Sequence, residues 1–164
     1  RNNNIKATFF LSGIWLINYP NLARAIAAEG HEIANHSYTH PHMPLITMEE
    51  VRNQIVRTEA LIKNITGQEP YLFRPPYGEY NQAILNSLAS LGYVIIMWTI
   101  DSLDWKNPGP DAVVTRVVEN AEPGTIILLH QSAPDTLQGL QTMITRLREQ
   151  GYDFGTVTQV INPL

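Results

Sequence analysis

The chain has 164 residues, 44% of them hydrophobic, no cysteine and a formal net charge of −4. That length suits one domain with a buried core, and the scattered, slightly acidic charge excludes a surface that tracks phosphates, so no nucleic-acid partner is expected. Without thiolates, any metal must be held by histidine and carboxylate.

The opening residues, RNNNIKATFF, lack an initiator methionine and an apolar signal core, so the start reads as a processing or cleavage boundary with any signal peptide upstream. Short apolar runs then alternate with amphipathic segments, the pattern of a parallel sheet covered by helices. In chain order, the predicted elements are a strand at 5–11, a helix at 20–29, a strand at 31–35, a helix at 48–65 and a strand at 71–74. A helix at 81–91, a strand at 94–100, a helix at 110–120, a strand at 125–129, a helix at 137–150 and a strand at 154–160 follow. Leu140, Met143, Ile144 and Leu147 fall on one face of the last helix. Thr47 before Met48-Glu49-Glu50 reads as a capping box, and Gly30, Gly67, Gly92 and Gly151 as helix stops. No stretch reaches the ~20 apolar residues of a membrane span. No repeat or linker divides the chain, and no GxGxxG turn is present, which disfavours a dinucleotide fold. The class is α/β, either an open doubly wound sheet or a barrel.

In such folds the working residues lie at the carboxyl ends of strands. The strand at 31–35 runs into HSYTH, placing His36 and His40 four residues apart, a spacing at which two imidazoles reach one divalent ion from a helical turn. Histidines gathered on a polar loop fit the same five residues, and His42 reads as a solvated loop residue. RPPYG follows the strand at 71–74, and its paired prolines fix a rigid backbone behind Arg74. This suits a guanidinium aimed at a carboxylate, or simply a structural turn. The strand at 94–100 ends in DSLDW, where Asp101 or Asp104 fits either a histidine partner or a loop cap, and where the Trp105 indole fits a sugar-site wall. The strand at 125–129 delivers His130, alone a plausible structural histidine. Together, four strand ends offer the groups that metal-assisted acyl hydrolysis needs.

KATFFLSG, GHEIANHSYTH, FRPPYG, WTIDSLDW and TIILLH, in that order, make the sequence similar to the polysaccharide deacetylase family, the NodB-homology or carbohydrate esterase family 4 domain. The resemblance runs nearly end to end and implies a distorted (β/α) barrel. It implies His36 and His40 as ligands of a divalent metal, zinc favoured and cobalt or nickel possible. Arg74 is implied as the group orienting the catalytic base, and Tyr77 as the donor of a backbone N–H to the oxyanion. Asp104 is implied as the partner tuning His130, the general acid, and Trp105 and Leu128 as walls for sugar and acetyl methyl.

The family also carries a TFDDG-type motif, whose first aspartate is the base and whose second is a metal ligand. No such motif stands in residues 1–164. The resemblance therefore implies a barrel without its first strand in this chain, partnered by an amino-terminal fragment of the same protein carrying the Asp-Asp pair. Gln131 is a lesser departure, standing where many relatives have aspartate. The implied activity is N-deacetylation of peptidoglycan or chitin-type glycans, extracellular or at the cell envelope. O-acetyl xylan esterase activity and an inactive carbohydrate-binding module are the alternatives.

Overall fold

The structure is a computed structural model that describes residues 3–162. The chain divides after Met97 into two compact units.

The first unit contains β1 (Thr8–Leu11), α1 (Gly13–Asn18), α2 (Pro20–Ala28), β2 (Glu32–Asn35), α3 (Met48–Thr66), β3 (Leu72–Phe73), α4 (Gln82–Ser90) and β4 (Val94–Ile95). Its four strands form one parallel sheet in the order β1-β2-β3-β4. The register pairs Leu11 with Asn35, Asn35 with Phe73 and Phe73 with Ile95, so the carboxyl ends of all four strands share one edge of the sheet. Residues that follow these strands, His36 and Arg74 among them, emerge there together.

The helix α3 shows how sequence sets these boundaries. Thr47 accepts a hydrogen bond from the Glu50 N–H, Glu49 and Glu50 sit at the positive amino end, Lys63 lies in the last turn, and Gly67 closes the helix at φ +74°. The capping box expected at Thr47 is only half made, because the Glu50 carboxylate instead accepts from Asn53 and Gln54. One stripe of α3, including Val51, Ile55 and Ile62, is fully buried. Val51 and Ile55 pack with Met43, Phe73, Ile84, Leu88 and Tyr93, while Ile62 joins Leu11, Leu16, Ala23 and Ile33 in a second cluster.

The second unit contains β5 (Ile100–Asp101), α5 (Pro110–Asn120), β6 (Ile127–Leu128), α6 (Pro134–Glu149) and α7 (Val157–Ile161). β5 and β6 are parallel, with Ile100 opposite Ile127 and Asp101 opposite Leu128. Ile100, Val113, Val114, Val117, Val118, Met143 and Leu147 form its core. α5 and α6 approach closely at Gly139, where an added Cβ would stand 2.8 Å from Val114 Cγ2 and 3.2 Å from the Pro110 carbonyl oxygen. Among the described residues no helix is long and apolar enough to cross a membrane.

The parallel α/β architecture agrees with the sequence, but several elements differ. The strand expected at 94–100 is two, because the Ile96 N–H still donates to Phe73 whereas the Thr99 N–H donates to Ile126. The strand expected at 154–160 is the helix α7, opened by a complete capping box between Thr156 and Gln159 that overrides the β-branched composition. α1 was not expected, and it is too short for helical periodicity to show. On α6, Met143, Ile144 and Leu147 are buried, but Leu140 is 38% exposed beside the Gly139 contact.

Candidate functional site

His36 follows β2 directly, and its N–H donates to the Leu11 carbonyl at 3.1 Å. The HSYTH segment is not the helical turn expected from its spacing. It is an irregular loop in which Ser37 (φ +63°) and His40 (φ +59°) are both left-handed. Such a backbone persists only where its surroundings hold it, and several groups do so. The buried Asn35 side chain accepts from the Ser37 N–H at 3.0 Å and donates to the Ile55 carbonyl at 2.9 Å and the Tyr93 hydroxyl at 3.2 Å. Gln54 on α3 accepts from the Tyr38 and Thr39 N–H groups, both at 2.8 Å. From α1, the Gly13 and Ile14 N–H groups donate to the Ser37 and Tyr38 carbonyls at 3.0 Å. Gly13 has no substitute there, since a Cβ would lie 2.1 Å from the Tyr38 ring.

This scaffold sets the His36 and His40 rings with centroids 4.8 Å apart at 71°. His36 Nδ1 lies 2.7 Å from the Arg74 carbonyl oxygen. A carbonyl only accepts, so Nδ1 carries the proton and the neutral ring holds its lone pair on Nε2, the arrangement that orients a metal-ligating histidine. The pair therefore fits two corners of a metal site. Among the described residues no group of three histidine, aspartate or glutamate side chains gathers into a complete one.

Arg74 follows β3 directly and is buried, 7% exposed. Its Nε donates to the Ile96 carbonyl at 3.3 Å and its Nη2 to the Met97 carbonyl at 2.9 Å, and it lies 4.1 Å from the centroid of the Phe10 ring. Burial lowers its pKa to about 10, which leaves it cationic at neutral pH. The next residues form a tight turn, Pro76–Gly78, in which Tyr77 is left-handed at φ +58°. For a non-glycine residue that conformation costs about 1–2 kcal/mol. The Tyr77 ring meets His40 edge-on at 4.6 Å and lies flat on His42 at 4.1 Å and 9°. His42 Nδ1 is 2.8 Å from Glu79 Oε2. His42 is the exposed loop residue that the sequence reading expected, but it also makes these two contacts with the turn.

In the second unit, Asp101 and Asp104 separate into the two roles that sequence left open. Asp101 Oδ1 caps its own loop by accepting from the Leu103 N–H at 2.9 Å. Asp104, fully buried, accepts from the His130 N–H at 2.6 Å, from His130 Nδ1 at 2.7 Å and from the Thr136 hydroxyl at 2.5 Å. Burial alone would raise its pKa, but these hydrogen bonds and the adjacent imidazole outweigh burial and hold the carboxyl below its usual 3.8. His130 keeps 41% of its side chain exposed. Trp105 is 54% exposed with Lys106 Nζ 4.9 Å from its ring, and Leu128 lies half-buried in β6.

Within the first unit the structure thus brings His36, His40, Arg74 and Tyr77 to one sheet edge. Within the second it joins Asp104 to His130. Sequence reading missed Gly13, Asn35, Gln54 and Thr136. Gln54 carried a usable signal, a polar residue on the buried stripe of an amphipathic helix.

The polysaccharide deacetylase family profile matches residues 1–96. The chain is 38% identical over 162 residues, 99% of its length, to protein YlxY of Bacillus subtilis, and covers 50% of that protein. It is 37% identical over 161 residues, 96% of its length, to a peptidoglycan-N-acetylglucosamine deacetylase of Bacillus cereus, of which it covers 58%. It thus spans about half the length of these two curated relatives. Among solved structures it is similar to BA3943 of Bacillus anthracis, a family 4 carbohydrate esterase pseudoenzyme, with a TM-score of 0.94, 38% identity, and coverage of 98% of this chain and 57% of that one. A BA3943 mutant with restored enzymatic activity gives the same TM-score of 0.94. The α/β, barrel-type fold expected from the sequence is the fold shared with these structures, and the chain belongs to the polysaccharide deacetylase family.

Proposed function

We propose that the chain is the catalytic part of a metal-dependent deacetylase that removes N-acetyl groups from N-acetylglucosamine residues of peptidoglycan or chitin-type glycans, at the cell envelope or outside the cell. The observation that carries this reading is the His36–His40 pair, held 4.8 Å apart with the His36 tautomer set by the Arg74 carbonyl. His36 and His40 would hold one divalent ion, zinc favoured with cobalt or nickel possible, and that ion would supply Lewis-acid polarisation of the acetyl carbonyl and acidify the attacking water.

The chain's own residues do the rest. Tyr77 would present its backbone N–H to the negative charge that develops on the carbonyl oxygen. His130, turned by Asp104 so that Nδ1–H is engaged, would deliver a proton from Nε2 to the departing sugar amine. Arg74 would orient the base carboxylate, which the resemblance assigns, with the third metal ligand, to a TFDDG-type motif that residues 1–164 do not contain. Trp105 and Leu128 would wall the sugar and the acetyl methyl.

A second reading, an inactive relative that binds glycan without turnover, is favoured by the 38% identity to a pseudoenzyme. Acetate release by the full-length protein from N-acetylated chitooligosaccharide, peptidoglycan and acetyl-xylan separates these readings. Release from either of the first two supports the N-deacetylase, and release from xylan alone supports the esterase. Binding without release supports the inactive module.

A further inference from the structure

His42 from the histidine loop touches the Pro-Pro-Tyr turn at two points. Its ring lies flat on Tyr77 at 4.1 Å and 9°, and its Nδ1 is 2.8 Å from Glu79 Oε2. Tyr77 and Glu79 are two residues apart on one turn, closed by Gly78 N–H to the Pro75 carbonyl and Glu79 N–H to the Pro76 carbonyl, both at 3.1 Å. His40 meets the same Tyr77 ring edge-on at 4.6 Å. We propose that His42, steadied by Glu79, is a positioning residue that locks the Tyr77 turn against His40, fixing the Tyr77 backbone N–H and the His40 ring relative to each other. The proposal rests on the deacetylase reading of this site and goes beyond it by assigning work to two residues outside the chemistry.

Charge is not what holds the brace. His42 and Glu79 have side chains 50% and 42% exposed, and an ion pair so exposed contributes little. Geometry is what matters. A flat stack alone permits sliding and a lone hydrogen bond permits rotation, but a stack and a hydrogen bond two residues apart on one turn prevent both. The turn needs such a restraint because Tyr77 holds a left-handed backbone at φ +58°, which a non-glycine side chain keeps only when its surroundings over-determine it.

The test uses the full-length protein with His42→Ala, His42→Phe and Glu79→Gln, read in two ways. Nuclear magnetic resonance of ¹³C-labelled tyrosine reports the ring-current shift of Tyr77, and steady-state kinetics on N-acetylated chitooligosaccharide report kcat and KM separately. His42→Ala should abolish the ring-current shift and lower kcat by roughly 10- to 100-fold, as expected of misplaced catalytic groups, with KM moved by no more than about twofold. Glu79→Gln, whose amide oxygen still accepts from His42 Nδ1–H, keeps both restraints and should retain the shift and most of kcat, and His42→Phe, which keeps the stack but loses the hydrogen bond, should fall between. An unchanged Tyr77 shift or an unchanged kcat in His42→Ala overturns the proposal. A wild type that releases no acetate overturns the deacetylase reading and with it the catalytic part of this one. The ring shift, read without turnover, then upholds or overturns the brace itself.

Discussion

Asp104 grips His130 twice, Oδ2 accepting the backbone N–H at 2.6 Å and Oδ1 facing ring Nδ1 at 2.7 Å. The double contact fixes both the position of the residue and the turn of its ring, and it leaves Nε2 as the atom through which His130 can exchange a proton. On the deacetylase reading, His130→Ala should lower kcat by roughly 10²- to 10⁴-fold, the range for a lost general acid. Metal content should be unchanged, because on this reading the ion is held by His36 and His40 and His130 serves proton delivery. Elemental analysis beside steady-state kinetics checks both halves, and loss of metal with activity would contradict the assignment.

Asp104 also links stability to pH. Its carboxyl is held below the usual 3.8 in the folded chain, so the stability it contributes is complete above that value and is lost as pH falls through the folded pKa. Asp104→Asn removes that term, so its urea midpoint should decline less steeply than the wild type's below about pH 4, the ordinary aspartate range. At neutral pH the same variant should lose about 1–3 kcal/mol, because an amide cannot accept all three buried hydrogen bonds. Parallel acid limbs for the two proteins would remove Asp104 from this role.

Gln54 holds the histidine loop by accepting from two successive backbone N–H groups. Gln54→Leu should cost about 1–3 kcal/mol for donors left unpaired in a partly buried place. It should also weaken divalent-metal affinity, which isothermal titration measures. A variant equally stable with unchanged affinity would show that α1 and Asn35 suffice.

Trp105, more than half exposed, should behave oppositely. Trp105→Ala should leave thermal stability within about 0.5 kcal/mol, as at most exposed positions, yet raise KM through lost apolar contact with the sugar. Unchanged kinetics on every glycan tested would take it out of the substrate pocket.

Elements with strong periodicity or punctuation were legible in the sequence. α5 matches its expected span at both ends, and α3 differs from its expected span by one residue at its carboxyl end. The run 94–100 misled because one apolar stretch serves two short strands, and composition does not mark where hydrogen bonding passes from Phe73 to Ile126. α7 was missed because Val157, Thr158 and Val160 favour strand, whereas the deciding signal was the Thr156–Gln159 box. At the site, the chemistry-bearing residues stood out by type and spacing. The groups that hold them did not, because Asn35, Gln54 and Thr136 act through hydrogen bonds spanning 2 to 58 residues of chain. His42 escaped for the same reason, since its partners Tyr77 and Glu79 lie on the next strand's loop.

The central claim is that His36 and His40 hold the ion on which glycan deacetylation depends. The direct measurement is acetate released from N-acetylated chitooligosaccharide by full-length protein stripped with chelator and then reloaded with zinc, cobalt or nickel, for the wild type and for His36→Ala/His40→Ala. The account predicts that stripping abolishes release, that reloading restores it in the wild type, and that the double variant binds no stoichiometric ion and stays inactive. Undiminished release by stripped protein, or by the double variant, would contradict it.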